Sequence, residues 1–424
     1  MIDRRDDHAQ ILAAAITEER LRILAGLIRT TGDWELAEDC LQDAVERALV
    51  RWPAEGTPDN PGAWLSTTAY RRALDVLRRR RVEAIKFQEV AAMADLERSA
   101  GSGTNTDPYA GVYRDDQLRL LFTCCHPALP IEGRVALTLK TVAGLSTRQI
   151  AAAFLVSEAT MGQRLLRTRN KIAHAGIQLR VPEPHRLAER IAGVLAVIYL
   201  VYNAGYGATA AESDRDLAHE GVRLAELTAR LLPDDGEAHG LRALLLLQHA
   251  RRAARADLVG DLVPMEDQDR GRWDHAMIAT GLSVLAAADA TDRPRGPYRL
   301  QAEIAAMHAT APTAAATDWA RIVAAYDALL RIQPSPVVAL NRVVALGFRD
   351  GPEAGLGALA SLDGDPRLAF YYLLPSVRGD FLRRAGRGAE AADAYRQALE
   401  LVATAAERRF LERRLHEVQQ PPDA

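Results

Sequence analysis

The sequence predicts an all-α chain: two small helical modules joined by a linker, then a long, repeat-like helical domain. Three observations predict it. Alanine and leucine dominate, while aromatics make up only 5% of the 424 residues, a composition that suits packed helices better than sheets. Apolar residues recur at three- and four-residue spacing in most segments. A loop rich in Pro, Gly and Asp falls at 53–60, a segment of linker composition at 101–108 and a two-proline break at 181–184, where helices stop.

Taken in order, residues 10–80 read as helical. Asp33 caps a helix over Trp34–Ala48 whose apolar positions are Leu36, Leu41 and Val45. A loop runs from Pro53 to Asn60, which caps the next helix with Pro61 at its first position, a favoured arrangement. On that helix Trp64, Leu65, Ala69, Ala73, Val76 and Leu77 form a core stripe, with Thr67, Arg71, Leu74 and Arg78 opposite. Asp75 follows Arg71 by four residues, so the two are expected to pair. Residues 83–115 contain Gly101–Pro108 and have linker composition.

The second module is expected at 116–180. Its most informative stretch is Leu145–Lys171. Ser146 with Gln149 three residues on is a capping box, and Ser157 is a second N-cap. Beyond it, Met161, Leu165, Thr168 and Ile172 share a core face, while Thr160, Arg164, Arg167 and Lys171 share another. No acidic residue lies between Ala159 and Arg180. Two short helices with a basic second one make a helix-turn-helix, whose second helix enters the major groove. The bland alternative is an amphipathic hairpin with a solvated basic face.

Helical pattern resumes over 186–418. The apolar run Ile191–Tyr202 is shorter than the ~18 residues that span a bilayer, so a buried helix is expected. Ala324–Leu330 echoes Asp393–Leu399, and Tyr326 and Tyr395 stand 69 positions apart, close to two tetratricopeptide periods of about 34 residues.

The net charge of −3 identifies no partner. Its distribution is more telling: Arg71, Arg72, Arg78, Arg79, Arg80 and Arg81 face one acid, Asp75, and 164–171 forms a second basic patch. Three cysteines argue against a disulfide scaffold and for a reducing compartment. Met1–Asp7 is charged and lacks a signal-peptide core, so a cytoplasmic protein with no membrane partner is expected. Cys124-Cys125-His126 lacks the spacing of a zinc site. With no phosphate loop, zinc-protease motif or nucleophile elbow, the chain is expected to have no catalytic residue, metal or cofactor. A small-ligand enzyme built on Tyr202, Asn203 and Tyr206 is the least favoured reading.

The combined pattern resembles the extracytoplasmic-function sigma factors of bacterial RNA polymerase, within the sigma-70 superfamily. Leu36–Ala48 looks like the polymerase-binding segment, Pro61–Arg79 like the promoter −10 segment, and 145–171 like the −35 reader. Beyond these, Leu121–Leu129, Tyr199–Tyr206 and Pro334–Arg342 resemble the subgroup with a C-terminal tetratricopeptide-like extension. Ala204 departs from it, where relatives often carry glutamate. The resemblance implies a region 2-like domain at 1–82, a region 4-like domain at 116–180 and the extension at 186–418. It implies promoter DNA contacts at Tyr70, Arg71, Arg72, Arg78 and Arg79, then at Ser157, Thr160, Gln163, Arg164, Arg167 and Lys171. Core RNA polymerase would be met by Asp39, Gln42, Asp43 and Arg47, and the extension would take a protein or peptide partner. The rival expectation is a helix-turn-helix regulator on a repeat scaffold, working without polymerase and usually as a dimer on a palindrome.

Overall fold

The computed structural model describes residues 4–87, 110–154, 156–206, 216–257, 259–290 and 294–420. Among the described residues the chain is helical, with no strand and one isolated bridge between Ala256 and Leu262. The expected all-α class is the observed one. The chain divides into two compact units, residues 1–197 and 198–424.

The first unit opens with α1 (Arg4–Thr31), α2 (Trp34–Glu55), α3 (Pro61–Phe87) and α4 (Ala110–Cys124). Asp33 starts α2 by accepting the amides of Glu35 and Leu36, which satisfies two of the donors that a helix start leaves open. Asn60 does the same for α3 through Ala63. α1 is the common strut and packs on α2, α3 and α4. Its Leu24 and Leu27 are buried, as are Leu36 and Ala37 of α2, Leu65 and Ala69 of α3 and Leu120 of α4.

Three details differ from expectation. α2 continues through Pro53 to Glu55, because a proline in the last turn forfeits only one amide donor and buried Trp52 anchors that turn. α3 runs to Phe87 and α4 begins at Ala110, so both reach into the expected linker; Gly101–Pro108 lies outside the described residues. Asp75 pairs with Arg78 at 3.9 Å, not with Arg71. Both partners are largely exposed, so the i,i+3 and i,i+4 choices differ little in energy.

The unit continues with α5 (Ile131–Thr141), α6 (Thr147–Ala153), α7 (Glu158–His174) and the start of α8 (Pro184–Tyr206). α8 is the one described helix long and apolar enough to cross a membrane by length and composition. Its Ile191, Val194, Leu195, Val197, Ile198, Val201 and Tyr202 are buried in protein, as a core helix requires.

The second unit holds α9 (Leu217–Leu231), α10 (Gly236–His249), α11 (His275–Asp289), α12 (Pro297–Thr310), α13 (Trp319–Ile332), α14 (Pro336–Asp350), α15 (Pro352–Leu359), α16 (Leu373–Arg384), α17 (Gly388–Leu401) and α18 (Ala405–Gln419). Each packs on the next in sequence, and α10 also packs on α12. Asp216, Asp235, Asp274 and Asp318 cap four of these helices. Close approach is set by glycine at the ring of buried Phe381: Gly347 of α14 and Gly355 of α15 both lie against it.

A methyl group on Gly347 would overlap that ring, whereas nothing stands within 4 Å of one on Gly357. Gly347→Ala should therefore cost about 2–3 kcal/mol through overpacking, while Gly357→Ala should be neutral or stabilise by up to about 1 kcal/mol. Urea denaturation followed by circular dichroism checks both.

Candidate nucleic-acid and polymerase interface

The helix-turn-helix is built from α6 and α7. The Ser146 hydroxyl accepts the Gln149 amide, and the Gln149 side chain accepts the Ser146 amide, closing the capping box. Ser157 accepts the amide of Thr160 at 3.1 Å, and their hydroxyls sit 2.8 Å apart. This fixes the start of α7. Met161, Leu165, Thr168 and Ile172 are buried, and α7 packs on α5 and α6. Close contact with α5 requires Gly133, whose added methyl would come within 2.7 Å of the Thr168 hydroxyl.

The opposite face of α7 carries the candidate contacts. Ser157, Thr160, Gln163, Arg167 and Lys171 are exposed and Arg164 is half-buried. Arg164, Arg167 and Lys171 line one cleft with Pro127, Pro130 and Glu132 at the start of α5. Arg167 Nε also donates to the Gln163 carbonyl at 3.3 Å, which leans its guanidinium along the helix. Three cationic groups on one wall, beside exposed hydroxyl and amide groups, suit both phosphate and base-edge contacts.

On α3, Arg71, Arg78 and Arg79 are exposed. Arg72 is half-buried and lies 4.0 Å from Asp43 of α2, so it belongs to the α2–α3 groove as much as to the basic face. Tyr70 is half-buried, and its hydroxyl fills the space left by Gly26 of α1. That geometry places its hydroxyl between α1 and α3 and leaves part of the residue exposed beside Arg71. Trp64 is half-buried and meets buried Trp52 edge-on, centroids 5.6 Å apart.

Asp39, Gln42 and Asp43 line one groove of α2 with Arg72 and Arg80. Asp43 also pairs with Arg47 at 2.9 Å, and Gln42 hydrogen-bonds Glu46 at 3.1 Å. Arg80 reaches back to the cap residue Asp33 at 3.0 Å. Burial raises the Asp33 carboxyl, but the Leu36 amide and the Arg80 guanidinium outweigh it and hold the group below its ordinary value.

Sequence reasoning missed a further set of residues that tie the two modules together. Arg29 of α1 pairs at 2.9 Å with the fully buried carboxylate of Asp116 at the start of the second module. Arg20 donates to the Thr141 carbonyl at 2.6 Å and to that of Lys140 at 3.3 Å. Arg169 of α7 pairs with Glu38 of α2 at 2.9 Å, both largely buried. The partners lie 87 to 131 positions apart, so no local pattern could have paired them.

Cys124 and Cys125 are buried. Desolvation pushes both thiols up, Cys125 to about 11 despite a contact with the Thr138 hydroxyl. Protonated thiols in an apolar core are poor nucleophiles and poor ligands. Tyr202 is fully buried, and Tyr206 lies under the Arg255 guanidinium at 3.5 Å.

Comparison with known proteins defines the class. Residues 16–83 match Sigma-70 region 2 and residues 119–172 match Sigma-70, region 4. Residues 190–289 match a Family of unknown function (DUF6596). The Probable ECF RNA polymerase sigma factor SigI of Mycobacterium tuberculosis is 31% identical over 180 residues, covering 42% of this chain and 60% of that protein. These findings support an ECF-like sigma factor. An uncharacterized protein of Rhizobium meliloti (strain 1021) is 42% identical over 411 residues, 96% of each chain, and this chain belongs to the same family. No solved structure matches the chain.

The inter-module ties differ in burial, and so should their worth. Arg29→Ala should lower the stability of the first unit by about 2–3 kcal/mol, since the enclosed Asp116 carboxylate then keeps only the weaker contact with Arg119 at 3.7 Å. Arg169→Ala should cost about 1 kcal/mol, since both groups retain some water. Urea denaturation of each variant tests the difference, and equal losses would refute it.

Proposed function

We propose that this chain is an alternative sigma factor that directs core RNA polymerase to particular promoters and catalyses nothing itself. In this reading, residues 1–82 hold polymerase and the −10 element and residues 116–180 read the −35 element. The segment 83–115 links them, and residues 186–418 form a fused regulatory domain with tetratricopeptide-like repeats. The protein works in the cytoplasm without metal or cofactor. The observation that carries the reading is the pair of exposed basic helix faces, on α3 and on α7, each inside a matched sigma-70 region.

Each step has a physical basis. The groove of Asp39, Gln42 and Asp43, with Arg47 on the same helix, offers polymerase a charged surface next to the promoter-facing helix. Opening the −10 element takes bases out of the stack at a few kcal/mol each. Arg71, Arg78 and Arg79 offset part of that cost by holding the displaced strand through its phosphates, and Arg72 couples this track to the polymerase groove through Asp43. On the −35 duplex, Arg164, Arg167 and Lys171 meet phosphates or guanine edges, while Thr160 and Gln163 read base edges. Ser157 fixes the start of the reading helix. The regulatory domain acts through a bound partner. The rival regulator reading shares the α7 surface but leaves the α2 groove without a task.

Run-off transcription on a pooled promoter library, with purified core polymerase, tests the proposal. The full chain should yield promoter-dependent transcripts. Arg164→Ala should weaken duplex binding about tenfold, within the ~1–3 kcal/mol of a good contact, and leave polymerase affinity unchanged. Arg167→Ala should lower the salt dependence of binding by about one phosphate contact. No association with polymerase, with dimer binding to a palindrome, would establish the rival instead.

A further inference from the structure

The second unit contains two adjoining hollows of about 340 and 220 Å3. Both are bounded by Met265, His308, Tyr326 and Asn341, so they form two lobes of one cavity. Its size falls at the low end of the range for small-molecule sites, roughly 300–1,000 Å3.

The chemistry of its walls is uneven. In the larger lobe Trp319 and Phe348 stack face to face, centroids 4.4 Å apart and 8° from parallel, over buried Ile322. The charged groups on that side satisfy one another: Arg384 pairs with Glu266 and Asp380 at 2.7 and 2.6 Å, and Arg414 with Glu417 at 2.8 Å.

The remaining wall is different. Arg251 and Arg270 both lie against the ring of buried Trp273, at 5.9 and 4.4 Å from its centroid. Arg251 lines the smaller lobe and Arg270 the larger. The protein partners of Arg270 are the carbonyls of His308 and Ala311, each at 2.8 Å. Arg251 donates to the Tyr206 hydroxyl at 3.4 Å. Among the described residues neither guanidinium pairs with a carboxylate, although Arg251 is only 9% exposed.

Burying a guanidinium without a counter-charge is costly, and arginine does not escape by losing its proton. His308, between the two, adds no negative charge. Desolvation, then the fields of Arg251 and Arg270, push it down to about 4, so it is neutral at physiological pH. Gln248 and Gln301 add amide groups beside Arg251.

We propose that this cavity binds a small amphiphilic organic anion, its carboxylate or phosphate head between Arg251 and Arg270 and its apolar body along the Trp319–Phe348 stack. The guanidinium fork matches either head group. Charge complementarity selects an anion over a neutral ligand, and the limited volume selects a small molecule over a folded partner. The proposal concerns binding alone and does not depend on the transcriptional reading.

The test is titration of the full-length protein with octanoate, octyl phosphate and octanol, read by calorimetry and tryptophan fluorescence. At least one of the two anions should bind saturably at one site, and octanol at least about tenfold more weakly; which anion binds identifies the head group. Arg270→Gln and Phe348→Ala should each reduce anion binding about tenfold or more, with the helical signal by circular dichroism preserved. Arg251→Gln should do the same. If that buried site does not tolerate the change, Arg270→Gln in the more open lobe decides the matter. Equal affinity for octanol, undiminished anion binding by Arg270→Gln, or no binding of either anion would overturn the proposal.

Discussion

The packing of the first unit depends on a buried carboxylate. Asp116 is fully enclosed and answers Arg29 of α1 at 2.9 Å, so α4 meets α1 only where that charge is matched. An ionised carboxylate taken out of water without a partner is among the largest penalties a fold can carry. The pair therefore acts as a register pin: sliding α4 along α1 by one turn would break the 2.9 Å contact with Arg29 and leave the enclosed carboxylate only Arg119 of its own helix, at 3.7 Å. Apolar packing by Leu24, Leu27 and Leu120 supplies the attraction, which is insensitive to register. The charge supplies the address.

The docking has consequences for both candidate surfaces. Arg169 lies on α7, the helix that carries Arg164 and Arg167, and Glu38 lies on α2, beside Asp39. Docking thus uses the helices proposed to meet DNA and polymerase while leaving their exposed faces open. Arg71, Arg78, Arg79, Arg167 and Lys171 remain at the surface, where the overall charge of −3 conceals them. An attraction to phosphates that depends on a local field is screened by salt over about 8–10 Å, so binding at either face should weaken as salt rises.

What was legible in the sequence is what physics makes local. The capping box at Ser146 and Gln149 and the caps at Asp33, Asn60 and Ser157 involve neighbours within three residues, and the buried face of α7 follows from period 3.6. Short-range geometry fixes all of these whatever the rest of the chain does. The contact of Tyr70 with Gly26 was not legible, because it depends on another helix. Pro53 was misjudged because a proline in a last turn costs less than one mid-helix. Arg20, Arg29, Glu38, Asp116 and Arg169 were invisible, since opposite charges are common and only the folded chain decides which of them meet. The cavity wall at Arg251 and Arg270 was hidden for the same reason, and no motif announces a missing carboxylate.

Under the proposed repeat reading, two tyrosines and the cavity are connected. Tyr326 of α13 and Tyr395 of α17, 69 positions apart, line the same hollow. A helical repeat turns equivalent positions of successive helices toward one side, so a residue type kept at that phase accumulates along one wall. Burial pushes both phenols up, Tyr326 to about 12, so they stay neutral and act as apolar bodies with a polar tip. Their wall cannot supply the charge that Arg251 and Arg270 lack. Against a neutral wall, two guanidiniums around one indole gain two carbonyl hydrogen bonds, one long contact with a hydroxyl and the ring face of Trp273, but no opposite charge. These contacts offset only part of the lost hydration, and the proposed anion would supply the missing opposite charge.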